Sequence, residues 1–263
     1  MFVNVFRKTL RDQRRALVGW GVAIVVLVLL MAALWPSVRD MFDQDLLAAY
    51  PEAIQRLFDV EAMATGAGFL NAELFSIILP GLFIAYGIGR GARLIAGEEQ
   101  DGILEVIIVG PLSRTRLLLH KAAALATGIA ALGVVLFVAT VGASAVMDMG
   151  IPVAHAAIGA VAMTLIGIQH GWLALGVGAA TGRRPLALAV PGTLAVAAYA
   201  LHVVGALVAA VEPWQPLSPF TQAIGPGPVG GTVPAGFVWL ALAGVAFVVA
   251  AVPLFRRRDI GTA

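Results

Sequence analysis

The sequence predicts an all-α polytopic membrane protein with six transmembrane helices. Three observations carry this. Six long apolar stretches recur along 263 residues, the mean hydropathy is +0.94 with 60% hydrophobic residues, and nearly all cations fall on one side of the implied bilayer. A helix needs ~20 apolar residues to cross the hydrocarbon core. The stretches run over 16–35, 70–89, 122–147, 153–180, 186–210 and 235–254, with no charged side chain well inside any of them. Core helices of soluble domains are shorter and flanked by amphipathic neighbours, so six such runs exclude a soluble fold. The chain reads as one transmembrane domain, 1–263.

An even number of spans puts both termini on one face. Arg7, Lys8, Arg11, Arg14 and Arg15 precede the first span, and Arg90, Arg93, Arg114, Arg116 and Lys121 lie between the second and third. Arg183 and Arg184 separate the fourth and fifth, and Arg256, Arg257 and Arg258 follow the sixth. That face therefore holds all but two of the 17 lysines and arginines. Opposite, the 36–69 loop carries Arg39 and Arg56 beside six acids: Asp40, Asp43, Asp45, Glu52, Asp59 and Glu61. By the positive-inside rule both termini, including the 255–263 tail, are cytoplasmic.

The first fifteen residues interleave Phe2, Val3, Val5, Phe6 and Leu10 with cations. They read either as an amphipathic helix lying in the interface or as an orientation signal alone. The basic segment and the apolar run after it are both longer than a signal peptide favours, so the first span is an uncleaved anchor. In the outer loop 36–69, Tyr50-Pro51 precedes a stretch with helical spacing at Ile54, Leu57, Phe58 and Met63. A small lid and a solvated acidic loop fit it equally.

The cytoplasmic link 90–121 is the most specific stretch. Ile103, Leu104, Ile107 and Ile108 follow helical spacing, and Glu98, Glu99, Asp101 and Glu105 cluster near the start, where acids favour a helix N-terminus. Pro111 stops this helix, and Ser113 caps the next, which carries Arg114, Arg116 and Lys121 into the third span. A short helix with an apolar ridge and an acidic end is a docking element. A helix lying on the bilayer is the alternative, opposed by four acids that anionic headgroups repel.

In the fourth span, Gly167 with Gly171 and Gly178 with Gly182 have the spacing that lets helix backbones approach. Packing within the chain is favoured over dimerisation. The outer loop 211–234 holds Pro213, Pro216, Pro219, Pro226, Pro228 and Pro234, which preclude one long helix. Ser218 followed by Pro219 predicts a capped turn over 219–224, with Trp214 and Phe220 at the outer interface.

The pattern Glu98-Glu99-x-x-Gly102-x-Leu104-Glu105, then Pro111-x-Ser113-Arg114 and Lys121 before the next span, resembles the ABC transporter permeases of the type 2 exporter class. Six spans, the basic amphipathic start and the proline-rich last outer loop extend the resemblance over essentially the whole chain. It implies a coupling helix that sits in a groove of an ATPase subunit. That helix is formed or bordered by Glu98, Glu99, Gly102, Leu104 and Glu105, and Ile108, Pro111 and Arg114 complete the coupling set. The 219–224 turn would be the re-entrant segment before the last span. The resemblance further implies a multi-pass protein of a bacterial plasma membrane that exports its cargo. It would work with two ATPase copies and a second permease copy, as homodimer or related heterodimer. The chain has no GxxxxGK followed by Ser or Thr, so ATP and Mg would be bound by the partner and no cofactor by this chain. Charge reversal at Glu98 and Glu99 is expected to weaken ATPase association while leaving membrane insertion intact.

Gln169, His170 and His202 are the polar side chains deep in spans four and five, and they read as pathway residues or as interhelical hydrogen-bonding groups. An otherwise apolar lining suits hydrophobic or amphipathic small molecules such as drugs or antibiotics. Permeases for ions, lipids or cofactor maturation share these features, as does a scaffold that recruits a partner without transport. An ion-coupled transporter is opposed by the lack of midplane carboxylates. An intramembrane protease is opposed by Ser144 having no flanking motif and by the absence of HExxH. Four scattered histidines without intramembrane acids oppose a metal enzyme, and zero cysteines exclude disulfides and thiolate chemistry. The cations lie at membrane boundaries, where lipid headgroups are a sufficient partner without nucleic acid.

Overall fold

The computed structural model describes residues 3–41, 65–108, 112–225, 227–231 and 233–259. It is helical, with six helices long and apolar enough to cross a membrane among the described residues. The expected lid around Ile54, Leu57, Phe58 and Met63 lies outside the described residues, as does Pro111.

The first helix, α1 (Val3–Met41), is one continuous rod of 39 residues, about 58 Å at 1.5 Å per residue. The expected division into an interfacial helix and a separate first span is therefore corrected. Nothing before Pro36 breaks the helix, and its N-terminal part packs inward: Thr9 is 5% exposed and Gln13 is fully buried. Gln13 accepts a hydrogen bond from the Tyr86 hydroxyl at 3.2 Å, and Trp20 stands edge-on to the Tyr86 ring.

The second span is assembled from pieces. Thr65 caps α2 (Gly66–Leu70) by accepting from the Gly68 amide, and a wider π-type turn, Asn71–Phe75, follows. Pro80 has no N–H for the Ser76 carbonyl, and the helix is interrupted there before α3 (Ile78–Ala92). A second π-type turn, Arg93–Gly97, leads into α4 (Glu98–Gln100). Arg90 and Arg93, read from the sequence as link residues, are thus helical. Gly102, at φ +69, is the first residue to turn the chain, and the short α5 (Ile103–Ile108) starts after it.

Ser113 caps α6 (Arg114–Val146) as expected, accepting from the Arg116 amide. Two further spans follow, α7 (Val153–Thr181) and α8 (Arg184–Leu207). The outer segment forms a 3-10 turn, Glu212–Leu217, and then α9 (Pro219–Ile224), before α10 (Gly236–Arg257) completes the spans.

The central helix is α7, which packs on α3, α10, α6 and α8. Its glycine pair meets a second one. A Cβ on Gly87 would lie 2.4 Å from the Gly167 carbonyl oxygen, and one on Gly91 would lie 2.2 Å from that of Gly171. The GxxxG of span four is therefore used inside the chain, against an identical spacing in span two, and not for dimerisation. By contrast, α8 is largely exposed along its length, so its apolar surface faces lipid or another chain.

The outer segment folds back along α8. Gln215 donates to the His202 carbonyl at 2.9 Å, and Ser218 donates to that of Ala198 at 2.7 Å. Ala198 lies nine residues before the end of α8, so the chain descends about 14 Å along that helix before α9 turns it back. Ser218 and the 219–224 turn are as the sequence predicts, the cap accepting from the Phe220 amide at 3.1 Å. Asn71 clamps the return by donating to the Val229 carbonyl at 2.7 Å and accepting from the Val229 amide at 2.9 Å. Trp214 and Trp239 are exposed at this end, where an interfacial aromatic belt belongs.

The glycine contact yields a test on a single helix. Gly91→Val should destabilise the protein by about 1–3 kcal/mol or prevent folding. Gly89→Ala, where an added Cβ meets nothing within 4 Å, should be silent. Thermal unfolding in detergent, followed by size-exclusion monodispersity, measures both.

Candidate functional site

The cation-rich end of the bundle is tied together by charged side chains. Lys121 is 1% exposed and pairs with Glu98, while its Nζ also donates to the Leu94 carbonyl at 2.5 Å. Glu99 pairs with Arg258, which in turn donates to the carbonyls of Gly178 and Ala179 at 3.1 and 3.0 Å. Those are last-turn carbonyls of α7, that of Gly178 also accepting from the Gly182 amide at 2.9 Å, so the guanidinium helps to cap that helix end. Arg114 does the same for α10, donating to the Phe255 carbonyl at 3.3 Å, to that of Arg256 at 3.4 Å and to that of Arg258. Spans two, three, four and six are joined at one face.

This geometry redistributes the predicted coupling residues. Glu98 and Glu99 do not belong to the short helix: they close span two and are held by Lys121 and Arg258. The helix begins five residues beyond Glu98 because Gly102 takes a left-handed conformation. Its ridge is also rotated from the expected one. Leu104 is fully buried and Ile107 packs against the core, while Ile103 and Val106 are 41% and 78% exposed. Glu105 is half-buried between them, and Ile108 ends the helix. Arg114, predicted as a coupling residue, is the cap of span six.

The polar residues within the membrane separate as well. Gln169 and His170 are 6% and 4% exposed and line a cavity of about 380 Å³ between α7, α8, α10 and the re-entrant turn. His170 bonds within its own helix, Nδ1 to the Ile166 carbonyl at 2.9 Å. His202 bonds between elements, Nδ1 to the Thr221 hydroxyl of α9 at 2.9 Å, and so holds the turn.

Sequence reasoning missed the ion pairs. Glu98 and Lys121 are 23 residues apart and Glu99 and Arg258 are 159 apart, separations no local pattern reports. A usable signal existed for one: Lys121 abuts an apolar span at a position that cannot reach water easily, so it needs an acid nearby.

Six spans, a re-entrant outer turn and a short helix held out between spans two and three define a transport subunit of the permease type. A family model described as the multidrug efflux system permease Rv1217c, C-terminal domain, matches residues 5–256, and the chain belongs to that family. It is an ABC-type efflux permease, as the resemblance implied. No individual curated protein matches the chain.

The Lys121–Glu98 pair is open to a double-mutant cycle. Lys121→Met alone leaves a largely buried carboxylate unpaired and should cost about 3 kcal/mol. Adding Glu98→Gln should recover at least about 1 kcal/mol of that in thermal unfolding.

Proposed function

We propose that the chain is the membrane-spanning part of an ATP-driven exporter of hydrophobic or amphipathic small molecules, drugs and antibiotics among them. Its ends lie in the cytoplasm of a bacterial cell, in keeping with the positive-inside count. A pair of ATPase subunits, binding ATP and Mg, engages α5 from that side, and a second six-span half, identical or related, completes the pathway. The single observation that carries the reading is the exposure of Ile103 and Val106 on α5, at the end of the bundle where the cations gather. Two exposed aliphatic side chains beside acids favour a protein groove over an anionic membrane surface.

The drive follows from how α5 is mounted. It joins span two through the tight turn at Asp101 and Gly102, and span two is held to spans three, four and six by Glu98 and Glu99. A displacement of α5 by ATP-driven closure of the ATPase pair therefore moves those four span ends together. ATP supplies differential affinity for the closed pair, and hydrolysis removes it.

Because Glu98 and Glu99 are occupied in ion pairs, the variant that separates docking from folding is Val106→Glu. It removes an exposed contact and disturbs no buried group. Co-purification with the ATPase should fall at least tenfold with an unchanged unfolding temperature; undiminished association would remove α5 from the interface.

A further inference from the structure

The cavity that holds Gln169 and His170 has chemistry that the bundle does not use. Its walls are apolar side chains, among them Leu201, Leu217, Pro219 and Phe247. Gln169 Oε1 is buried beside this space with no hydrogen-bond partner, the amide nitrogen bonds no described group, and a half-turn about the terminal bond brings the oxygen to the cavity side. An acceptor left in that state costs free energy that a ligand donor recovers. His170 adds a second acceptor. A carbonyl can only accept, so Nδ1 must donate to Ile166, and in the neutral ring Nε2 is left with a lone pair. No other described protein group bonds it.

Neighbouring polar groups that could have satisfied Gln169 are already committed. The Ser218 hydroxyl gives its hydrogen to the Ala198 carbonyl and accepts from the Phe220 amide. Among the described residues no acid and no cation lines the cavity, so none of them compensates a charged ligand. At about 380 Å³ the space falls within the range of small-molecule sites. It opens along α8, where Leu194, Ala197 and Leu217 are exposed, with the re-entrant turn forming its wall toward the outer end.

We propose that this cavity is a binding site for a neutral, apolar molecule that carries a hydroxyl or N–H donor, with Gln169 as the acceptor and His170 as its neighbour in recognition. An acyl chain would fill the apolar walls but leave both acceptors unmet. The inference rests on the export reading only for the role of the ligand as cargo. Binding itself requires neither ATP nor a partner.

The test uses the full chain in detergent and two fluorescent probes, hydroxypyrene and methoxypyrene, which share their rings and differ in the hydroxyl donor. Wild type should bind hydroxypyrene about tenfold more tightly, the ratio that a hydrogen bond worth about 1.4 kcal/mol gives. The double variant Gln169→Leu with His170→Phe should lose that preference while still binding methoxypyrene, which also reports that it folds. Ala197→Phe, on an exposed position of the cavity wall, should abolish binding of both probes without touching a buried polar group. Equal affinity for the two probes in wild type would overturn the proposal, as would a preference that survives in the double variant or hydroxypyrene binding that survives Ala197→Phe. Failure of the export reading would be seen elsewhere, in an α5 that recruits no ATPase, and would leave these binding results standing.

Discussion

The contact on which the bundle depends is backbone against backbone, where Gly87 and Gly91 of span two meet Gly167 and Gly171 of span four. Lipid tails are as apolar as leucine, so helices in a membrane gain little from hiding aliphatic side chains from one another. Close approach is what gives dense dispersion contact and lets two long helices choose each other. The same approach makes α7 the hub against which α3, α6, α8 and α10 are arranged. Side chains at those four positions would push the helices apart and remove the frame that places both the cation-rich end and the cavity.

From this frame the charged groups acquire their geometry. With spans two and four in contact, the end of α4 lies beside the last turn of α7, and Arg258 bridges Glu99 to the α7 carbonyls. Lys121 and Arg114, about two turns apart on α6, secure span two and the end of span six. Each cation donates to backbone carbonyls as well as, or in place of, pairing with a carboxylate, which is how a partly buried charge is kept without a large desolvation cost. The short α5 therefore lies against a braced end, with Ile103 and Val106 exposed. On the proposed coupling, bracing carries a push on α5 to several spans.

Much of the fold was legible because the bilayer imposes simple rules. Apolar length marked all six spans, and Ser218-Pro219 marked the 219–224 turn to the residue. Other features follow from contacts between distant parts of the chain. The continuity of α1 through residue 15 depends on Gln13 meeting Tyr86, and the end of span two depends on Lys121 and Arg258 holding Glu98 and Glu99. The acids near α5 were legible as a cluster, but their partners were not. The same limit applies inside the membrane, where Gln169, His170 and His202 look alike in sequence. Packing gives His202 a bond to the re-entrant turn and leaves the Gln169 carbonyl facing no partner.

The central claim is that the ion-paired ends and α5 move as one body. The chain has no cysteine, so two spin labels can be placed without background, one at Val106 on α5 and one at Arg257 at the end of α10, both exposed. Their separation would be measured by pulsed electron spin resonance in the assembled transporter, with one labelled chain per complex, before and after ATP is trapped. The account predicts an unchanged intrachain distance while labels at Val106 on the two halves change theirs. An intrachain distance that shifts with nucleotide would contradict it, because α5 would then be moving apart from the spans it is held to drive.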